Sequence, residues 1–196
     1  MSLSELVDNS RTDKNTTHSY LDLYQQLLVS KKNTAKNVLE IGIGDGNQGI
    51  SDGGSIRLWH DFFTQADIYA LDIKHINSIW SGIKNNPRIH IYSSHDAYDE
   101  NLFNSTFANT KFDLVLDDGP HTLESMKQCI RLYTKVLADD GILIIEDVQE
   151  MGWLQILRNE VPVDLQKYVC AYDLRENNGR YDDIVFVVDK SCVQNE

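Results

Sequence analysis

Two pairs of adjacent acidic residues stand at the ends of apolar runs that are typical of buried strands. Asp117 and Asp118 end FDLVLDD, and Glu146 and Asp147 end GILIIED. Because sequence-adjacent parallel strands place their carboxyl ends side by side, the four carboxylates are expected to lie together near His121. Such a cluster of like charges needs a cation, and Mg²⁺ or Mn²⁺ prefers oxygen ligands of this kind. The pattern predicts a divalent-metal site beside a histidine.

A glycine-rich turn follows an earlier apolar run in the segment EIGIGDG, residues 40–46. Gly42, Gly44 and Gly46 allow the backbone to turn sharply and to approach a ligand, because side chains at these positions would collide with it. Similar turns also occur in α/β proteins that bind nothing there. The neighbouring acidic residues therefore decide which ligand the turn predicts.

Three acidic residues near the turn favour S-adenosylmethionine as that ligand. Glu40 lies inside the strand, where a carboxylate needs a partner such as a methionine-like amine or a backbone donor. Asp72 ends the next strand, IYALDI, where an acid is placed to accept hydrogen bonds from both ribose hydroxyls. Asp96 follows the third strand, RIHIY, and is placed to reach an adenine amino group, although helix capping explains an Asp there equally well.

Methyl transfer to a hydroxyl would use the metal ion and His121 together. The ion would bind two vicinal hydroxyls, or one hydroxyl and another oxygen, and so orient the acceptor and lower its pKa. His121, three residues after Asp118, would remove the hydroxyl proton, a role worth about 10²- to 10⁴-fold in rate. Two structural alternatives stay open: Asp147 as a helix cap, and His121 as a first-turn helix residue bonded to Asp118.

Two other functions also stay open from these residues alone. A nicotinamide-dependent sugar oxidoreductase or epimerase would use the same fold and turn. The glycines lack the GxGxxG spacing, however, and no Tyr is followed four residues later by a Lys, which counts against hydride transfer. The other alternative is a non-catalytic nucleotide-binding module, in which the acidic cluster is only a solvated rim.

The elements that must position these residues alternate between β-branched strands and amphipathic helices from Asn37 to Phe186. This alternation predicts an α/β, doubly wound fold with a parallel sheet. Two strands around the Asn-Gly turn of ENNGR predict an antiparallel hairpin at the sheet edge. One predicted helix has an apolar stripe formed by Leu123, Met126, Ile130, Tyr133 and Leu137.

Length and composition limit the architecture and the partners. With 196 residues, 41% of them hydrophobic, the chain is expected to form one domain, with a helical segment at 1–36 that contributes to the site and a core at 37–190. A formal charge of −12 argues against nucleic acid as a partner. The three cysteines form no CxxC pair and no apolar run is long enough to span a membrane, so we expect a cytoplasmic protein without a membrane partner.

The chain resembles class I S-adenosylmethionine-dependent methyltransferases, and within them the metal-dependent sugar O-methyltransferases of the mycinamicin and macrocin type. The likeness to the class is carried by VLEIGIGDG, Asp72, FDLVLDD and GILIIED. The likeness to the subfamily is carried by RTDKNTTHSYLDLY, GGSIRLW, DDGPH, IIEDV and YDDIVFVV, so that the resemblance spans roughly residues 11 to 188. The loop GDGNQGISDGG is longer than its counterpart in the family.

The resemblance implies metal ligands at Asp118, Glu146 and Asp147, with His121 as the catalytic base. It also implies a seven-stranded sheet of order 3-2-1-4-5-7-6 with an antiparallel seventh strand. Residues of two further segments are implied to line the cofactor or acceptor site: Lys14, His18, Tyr20, Ser55 and Arg57. The full set predicted to bind the cofactor is Lys14, Tyr20, Glu40, Gly42, Gly44, Ser55, Asp72, Asp96 and Asp117. The expected acceptor is a sugar hydroxyl, such as that of rhamnose in a glycan or a glycosylated small molecule.

Overall fold

The computed structural model describes residues 1–44 and 53–192. Its strands are β1 (Asn37–Ile41), β2 (Asp67–Asp72), β3 (Ile89–Ser93), β4 (Phe112–Asp117), β5 (Leu137–Ile145), β6 (Val169–Asp173) and β7 (Ile184–Asp189). Its α-helices are α1 (Leu3–Leu6), α2 (Leu21–Leu28), α3 (Gly54–Phe62), α4 (Glu100–Thr106), α5 (Leu123–Tyr133), α6 (Met151–Glu160) and α7 (Arg175–Asn178). Gly46 and most of the long glycine-rich loop, residues 45–52, lie outside the described residues.

The strands form one sheet in the order β3-β2-β1-β4-β5-β7-β6. The first five strands pair in parallel, whereas β7 runs antiparallel to both β5 and β6. The predicted order and the antiparallel seventh strand are confirmed. Because β1 lies between β2 and β4, the winding reverses there, and such a reversal opens a crevice at the carboxyl ends of the strands.

Helices cover both faces of the sheet. Side chains alternate along β1, so that Val38 packs on one face and Leu39 on the other. The first face carries α1, α2 and α3, with Trp59 among its buried residues, and the second carries α4, α5 and α6, with Tyr133. Burial of a large apolar side chain stabilises the fold by about 1.5–3 kcal/mol. None of the helices within the described ranges is long and apolar enough to cross a membrane.

Two local predictions differ from the structure. Leu137 does not extend α5, because the helix ends at Tyr133 and Leu137 begins β5, where it pairs with Phe112. Its side chain packs on the same apolar face as α5, which explains why it fits the helical spacing. Strands β6 and β7 are antiparallel as predicted, but their connection contains α7, and Gly179 ends that helix at φ +71°.

The carboxyl ends of four strands lie at one level of the sheet. Ile41 of β1 pairs with Leu71 of β2 and with Asp117 of β4, and Asp117 pairs in turn with Ile145 of β5. The residues that follow these positions therefore share one edge. This register brings the predicted glycine turn and the two acidic pairs into the same crevice.

Candidate active site

A cavity of about 580 Å³ opens at the carboxyl ends of β1, β4 and β5. Its wall includes residues between Asn9 and Tyr20 of the N-terminal segment, together with residues that follow the three strands. The predicted site residues in the described wall are His18, Tyr20, Gly44, Ser55, Asp118, His121, Glu146 and Asp147. The cavity thus joins the predicted cofactor turn to the predicted metal site.

The cofactor turn is held by Asp72 and requires glycine at position 42. Gly42 has φ +87°, and a Cβ there would lie 1.9 Å from the backbone oxygen of Asp118. The Asp72 carboxylate accepts hydrogen bonds from the backbone N–H groups of Ile43 (2.7 Å) and Lys74 (2.8 Å). Asp72 therefore shapes the turn, and its contact with a ribose stays a prediction. The approach of Gly42 to Asp118 joins the turn directly to the acidic cluster.

Glu40 is fully buried in β1, and the described residues provide a hydrogen-bond donor to one of its two oxygens. Trp59 of α3 donates from Nε1 to the Oε2 of Glu40 at 2.8 Å. The Oε1 has no hydrogen-bond partner among the described residues, and the Nζ of Lys14 lies 3.7 Å from it. Burial raises the pKa of Glu40 to about 7. An unpartnered buried oxygen is costly, so this position fits the predicted need for a donor from a ligand.

Asp117 and Asp96 do not belong to the described wall of the cavity. Asp117 is buried at the end of β4, where the hydroxyl of Tyr98 donates to it at 2.6 Å and burial raises its pKa to about 6. Asp96 is exposed and accepts a hydrogen bond from the backbone N–H of Tyr98 at 2.9 Å. Asp99, and not Asp96, caps α4. Contact of the two acids with a cofactor stays a prediction.

Three side chains that follow β4 and β5 have the geometry of a metal site. One ligand atom each from Asp118, His121 and Asp147 lies within 4.8 Å of the others. The Nε2 of His121 lies 3.7 Å from Oδ1 of Asp118 and 3.5 Å from Oδ2 of Asp147. His121 and Asp147 both have φ +53°, a conformation that non-glycine residues adopt mainly in turns and at functional sites. The two carboxylates beside a polar cavity fit a hard divalent cation, and His121 stands next to them.

The helical positions that the two structural alternatives require are not found in the described residues, although His121 does lie near Asp118. Thr122 caps α5 by accepting a hydrogen bond from the backbone N–H of Ser125, so His121 precedes the helix. Glu150 stands at the cap position of α6, so Asp147 does not cap the helix that follows it. Asp147 therefore does not cap α6, and His121 does not lie in the first turn of α5.

Lys14 is buried inside the acidic cluster. Its Nζ lies 2.7 Å from Oδ2 of Asp118 and 2.5 Å from Oε2 of Glu146. Tyr24 of α2 donates to the other Glu146 oxygen at 2.5 Å. Burial lowers the pKa of Lys14, but the carboxylates of Asp118, Glu146 and Glu40 outweigh burial and hold that pKa above its usual range. The ammonium therefore supplies part of the positive charge that the cluster needs.

His18 and Tyr20 connect the N-terminal segment to Asp147. The hydroxyl of Tyr20 donates to Oδ1 of Asp147, and the Nδ1 of His18 lies 3.4 Å from the same oxygen. The Nδ1 of His18 lies closer, at 2.6 Å, to Oδ1 of Asp183, a fully buried residue that precedes β7. The N-terminal segment thus holds one oxygen of Asp147, and the other oxygen faces His121.

Sequence reasoning missed several partners of the buried acids: Tyr24, Trp59, Tyr98 and Asp183. Tyr24 and Trp59 lie on the buried apolar faces of α2 and α3, and such a spacing is typical of core residues and does not reveal their hydroxyl and indole donors. The available signal was a polar aromatic residue on a stripe next to acidic strand ends. Arg57, which the resemblance implied at the site, is exposed and pairs with Asp61 at 2.7 Å along α3.

The sequence matches a family model described as a methyltransferase domain over residues 39–148. It is 27% identical over 151 residues to the 8-demethyl-8-alpha-L-rhamnosyl tetracenomycin-C 2'-O-methyltransferase of Streptomyces olivaceus, covering 77% of this chain and 39% of that protein. It is 29% identical over 153 residues to the demethylmacrocin O-methyltransferase of Streptomyces fradiae, covering 77% of this chain and 37% of that protein. The matches therefore span less than half the length of these relatives.

Solved structures share the fold. The MycE methyltransferase of the mycinamycin biosynthetic pathway, solved with Mg, SAH and mycinamycin VI, has a TM-score of 0.72 at 23% identity, covering 96% of this chain and 54% of that chain. The Methanococcus jannaschii fibrillarin pre-rRNA processing protein has a TM-score of 0.60 at 13% identity, covering 93% of this chain and 76% of that chain. The shared fold therefore extends over nearly the whole chain.

Proposed function

Because this chain belongs to the methyltransferase-domain family, we propose that it transfers a methyl group from S-adenosylmethionine to a hydroxyl oxygen of a sugar. The observation that carries the proposal is the cavity that joins the glycine turn to Asp118, His121 and Asp147. The curated relatives named above are O-methyltransferases, and the name of one includes a rhamnosyl group. The proposed acceptor is therefore a deoxysugar such as rhamnose, in a glycan or in a glycosylated small molecule.

The proposed cofactor site combines Glu40, Gly44, Ser55 and Asp72. The methionine end of S-adenosylmethionine carries an ammonium group, which would donate to the Oε1 of Glu40, an oxygen that accepts no hydrogen bond from the described residues. Its ribose hydroxyls would donate to Asp72, because each carboxylate oxygen has a second lone pair besides the one that binds the turn. The sulfonium is already an activated methyl donor, so most of the catalysis required of this half of the site is positioning.

The proposed metal site holds Mg²⁺ or Mn²⁺ between Asp118 and Asp147, with Glu146 as a third ligand. The bound ion would supply a Lewis acid that orients the acceptor oxygens and lowers the hydroxyl pKa. The grouping of ligand atoms within 4.8 Å at the cavity supports the first two ligands. Glu146 would exchange a hydrogen bond for the ion, because both of its oxygens now accept from Lys14 and Tyr24.

His121 is the proposed acceptor of the hydroxyl proton. As the acceptor oxygen bonds to the methyl carbon, the bond from that carbon to the sulfonium sulfur breaks, and the hydroxyl proton moves to the imidazole. The products are a methyl ether, S-adenosylhomocysteine and protonated His121. Its Nε2 lies 3.7 Å from a carboxylate oxygen of Asp118 and 3.5 Å from one of Asp147, and these would stabilise the imidazolium that forms.

We further propose that the chain acts as one domain, with residues 1–36 contributing to the site and residues 37–190 forming the core. Two observations support this division. N-terminal residues up to Tyr20 line the cavity, and Lys14 and Tyr24 donate to the carboxylate of Glu146 beyond β5. Removal of the segment would open the cavity and leave that carboxylate without its donors.

The proposal is tested first by binding and turnover of the protein as it stands. Calorimetric titration with S-adenosylhomocysteine should show binding, and no binding at millimolar ligand would defeat the assignment to this reaction.

A methyltransferase assay over a panel of glycans and rhamnosylated small molecules, with products detected by mass spectrometry, identifies the acceptor. EDTA should abolish turnover and Mg²⁺ or Mn²⁺ should restore it, so full activity in EDTA would remove the metal from the proposal. NADH binding detected by fluorescence would instead favour the oxidoreductase.

The role of His121 has a direct test. We expect His121→Ala to lower turnover by about 10²-fold or more, because the hydroxyl loses its proton acceptor, while the affinity for S-adenosylhomocysteine changes little. His90→Ala is a suitable control, because His90 is partly exposed in β3 and pairs with Asp67 at 3.1 Å away from the cavity. A rate for His121→Ala equal to that of the control would make His121 a structural residue.

A further inference from the structure

Lys14 lies at the centre of the acidic cluster, near one acid within β1 and one acid directly after each of β4 and β5. Its side chain is 2% exposed, and its Nζ lies 2.7 Å from Asp118, 2.5 Å from Glu146 and 3.7 Å from Glu40. An ammonium group has three N–H donors, and each of them has a carboxylate nearby. These carboxylates belong to the carboxyl ends of β1, β4 and β5, so one lysine bridges the cofactor turn and the metal site.

The carboxylates that hold Lys14 are also carboxylates of the proposed metal site. Asp118 belongs to the group of potential ligands with His121 and Asp147, and Glu146 is the third proposed ligand. An ion bound to Asp118 would share that carboxylate with the ammonium, whose Nζ lies 2.7 Å from Oδ2, and two cations this close in a partly buried site would repel each other strongly. The ammonium and the ion therefore compete for the carboxylates of Asp118 and Glu146.

We propose that the ammonium of Lys14 is an internal competitor of the divalent ion, which binds Asp118 and Glu146 when no ion is present and releases at least one of them when the ion enters. The inference rests on the proposed function and deepens it. Lys14 allows the buried carboxylates to fold together before an ion binds, since buried charges need a partner. The affinity of the site for the ion is then set partly by the displacement of Lys14.

A Mn²⁺ titration of the full chain tests this competition. The electron paramagnetic resonance signal of free Mn²⁺ reports how much of the ion is bound. Lys14→Met keeps the length of the side chain and removes its charge, so we expect Mn²⁺ to bind at least about ten-fold tighter than to the unmodified chain. Lys31→Met is the matched control, because Lys31 is 3% exposed and pairs with Asp140 at 2.7 Å outside the site. Lys14→Arg keeps the positive charge, and we expect no gain in affinity.

Mn²⁺ affinity in Lys14→Met that equals or falls below that of the unmodified chain would overturn the inference. An equal gain in Lys31→Met or Lys14→Arg would also overturn it, because the effect would not depend on the charge at position 14. Lys14→Met leaves buried carboxylates without their counter-charge, so its thermal unfolding is also followed by circular dichroism with and without MnCl₂. Mn²⁺ should raise the midpoint temperature of unfolding of Lys14→Met more than that of the unmodified chain. If the variant is unfolded without the ion, Mn²⁺ should restore its fold. A smaller rise in the midpoint, or no recovery of the fold, contradicts the inference.

Titration of the unmodified chain with S-adenosylhomocysteine separates this inference from the proposed function. If S-adenosylhomocysteine binds and Lys14→Met shows no gain in Mn²⁺ affinity, only the internal competitor is wrong. If S-adenosylhomocysteine does not bind, the proposed function is wrong, and the Mn²⁺ titrations still decide whether Lys14 competes with the ion.

Discussion

The two halves of the site differ in how far apart along the chain their contacting residues lie. The cofactor half consists of Glu40, Gly42 and Asp72, and the metal half of Asp118, His121, Glu146 and Asp147. In the cofactor half, Trp59 donates to Glu40 across 19 residues, and Ile43 donates to Asp72 across 29 residues. This half is built within two strands and the helix between them.

The metal half depends on the N-terminal segment. Lys14 contacts Asp118 across 104 residues and Glu146 across 132 residues, and Tyr20 contacts Asp147 across 127 residues. The same strand edge carries both halves, and the distant segment makes its closest contacts with the acids of the metal half, whereas Lys14 lies 3.7 Å from Glu40 of the cofactor half. We therefore expect most single changes to affect one half at a time, except at Gly42, where the halves touch, and at Lys14, which lies near acids of both halves.

The largest effect is expected for Gly42→Ala, which should damage both halves. The added Cβ would lie 1.9 Å from the backbone oxygen of Asp118, and φ +87° strains any residue other than glycine. Overpacking and strain together should lower the free energy of unfolding by about 4 kcal/mol, measured by urea denaturation. Gly152→Ala, in α6, where the new Cβ would meet no described atom within 4 Å apart from its chain neighbours and the nearby helix backbone, should instead be neutral or slightly stabilising. Similar stabilities of the two variants would contradict the close approach at Gly42.

Glu40→Gln should change how stability depends on pH. Burial raises the pKa of Glu40 from 4.5 to about 7, so between these values the unfolded chain loses a proton that the folded chain keeps. Rising pH therefore removes a stabilisation that is complete below pH 4.5 and lost above pH 7. From pH 4.5 to 8, the free energy of unfolding of Glu40→Gln should improve relative to the unmodified chain by about 3 kcal/mol.

Urea denaturation over this pH range measures the effect of Glu40→Gln. Glu124→Gln is the control, because Glu124 is exposed and a hydrogen bond from Lys127 lowers its pKa below 4.5. This control should show no improvement with rising pH. The same pH trend in both variants would show that burial of Glu40 is not its cause.

Asp147→Asn should disable the metal half alone. Asn offers one neutral oxygen in place of a carboxylate, so we expect about 100-fold weaker Mn²⁺ binding together with loss of turnover. The affinity for S-adenosylhomocysteine should change little, because the contacts of the cofactor half do not include Asp147. Asp164→Asn, at an exposed position, should leave both affinities unchanged. An equal loss of both affinities in Asp147→Asn would mean that the two halves form one unit.

Asp72→Asn should disturb the cofactor half alone, and by a smaller amount. An amide cannot accept hydrogen bonds from the backbone N–H groups of both Ile43 and Lys74, because one side of it is itself a donor. Loss of one such bond should weaken S-adenosylhomocysteine binding by about ten-fold, measured by calorimetry, and leave Mn²⁺ affinity unchanged. Asp67→Asn, at the other end of β2, should match the unmodified chain. Weaker Mn²⁺ binding in Asp72→Asn would place Asp72 in both halves.

Much of the fold was predictable because its elements carry local patterns. The apolar runs predict the strands, and the resemblance predicts the sheet order that the structure confirms. Leu137 shows the limit of local spacing: it fits the stripe of α5, yet it pairs with Phe112 as the first residue of β5. A periodicity of apolar residues records which face is buried, and two elements that pack on one face satisfy it equally well.

For the site, the sequence predicted which residue types meet but not which of their atoms pair. Residue types at strand ends determined that acids, glycines and a histidine would meet, because parallel strands bring their carboxyl ends to one edge. Only the tertiary structure decided which atoms pair there, such as Lys14 with Glu146 and His18 with Asp183. These pairs join residues more than 100 positions apart, and they form only when packing of the N-terminal segment removes water from the acids and makes a counter-charge necessary. No local pattern in the sequence encodes that burial.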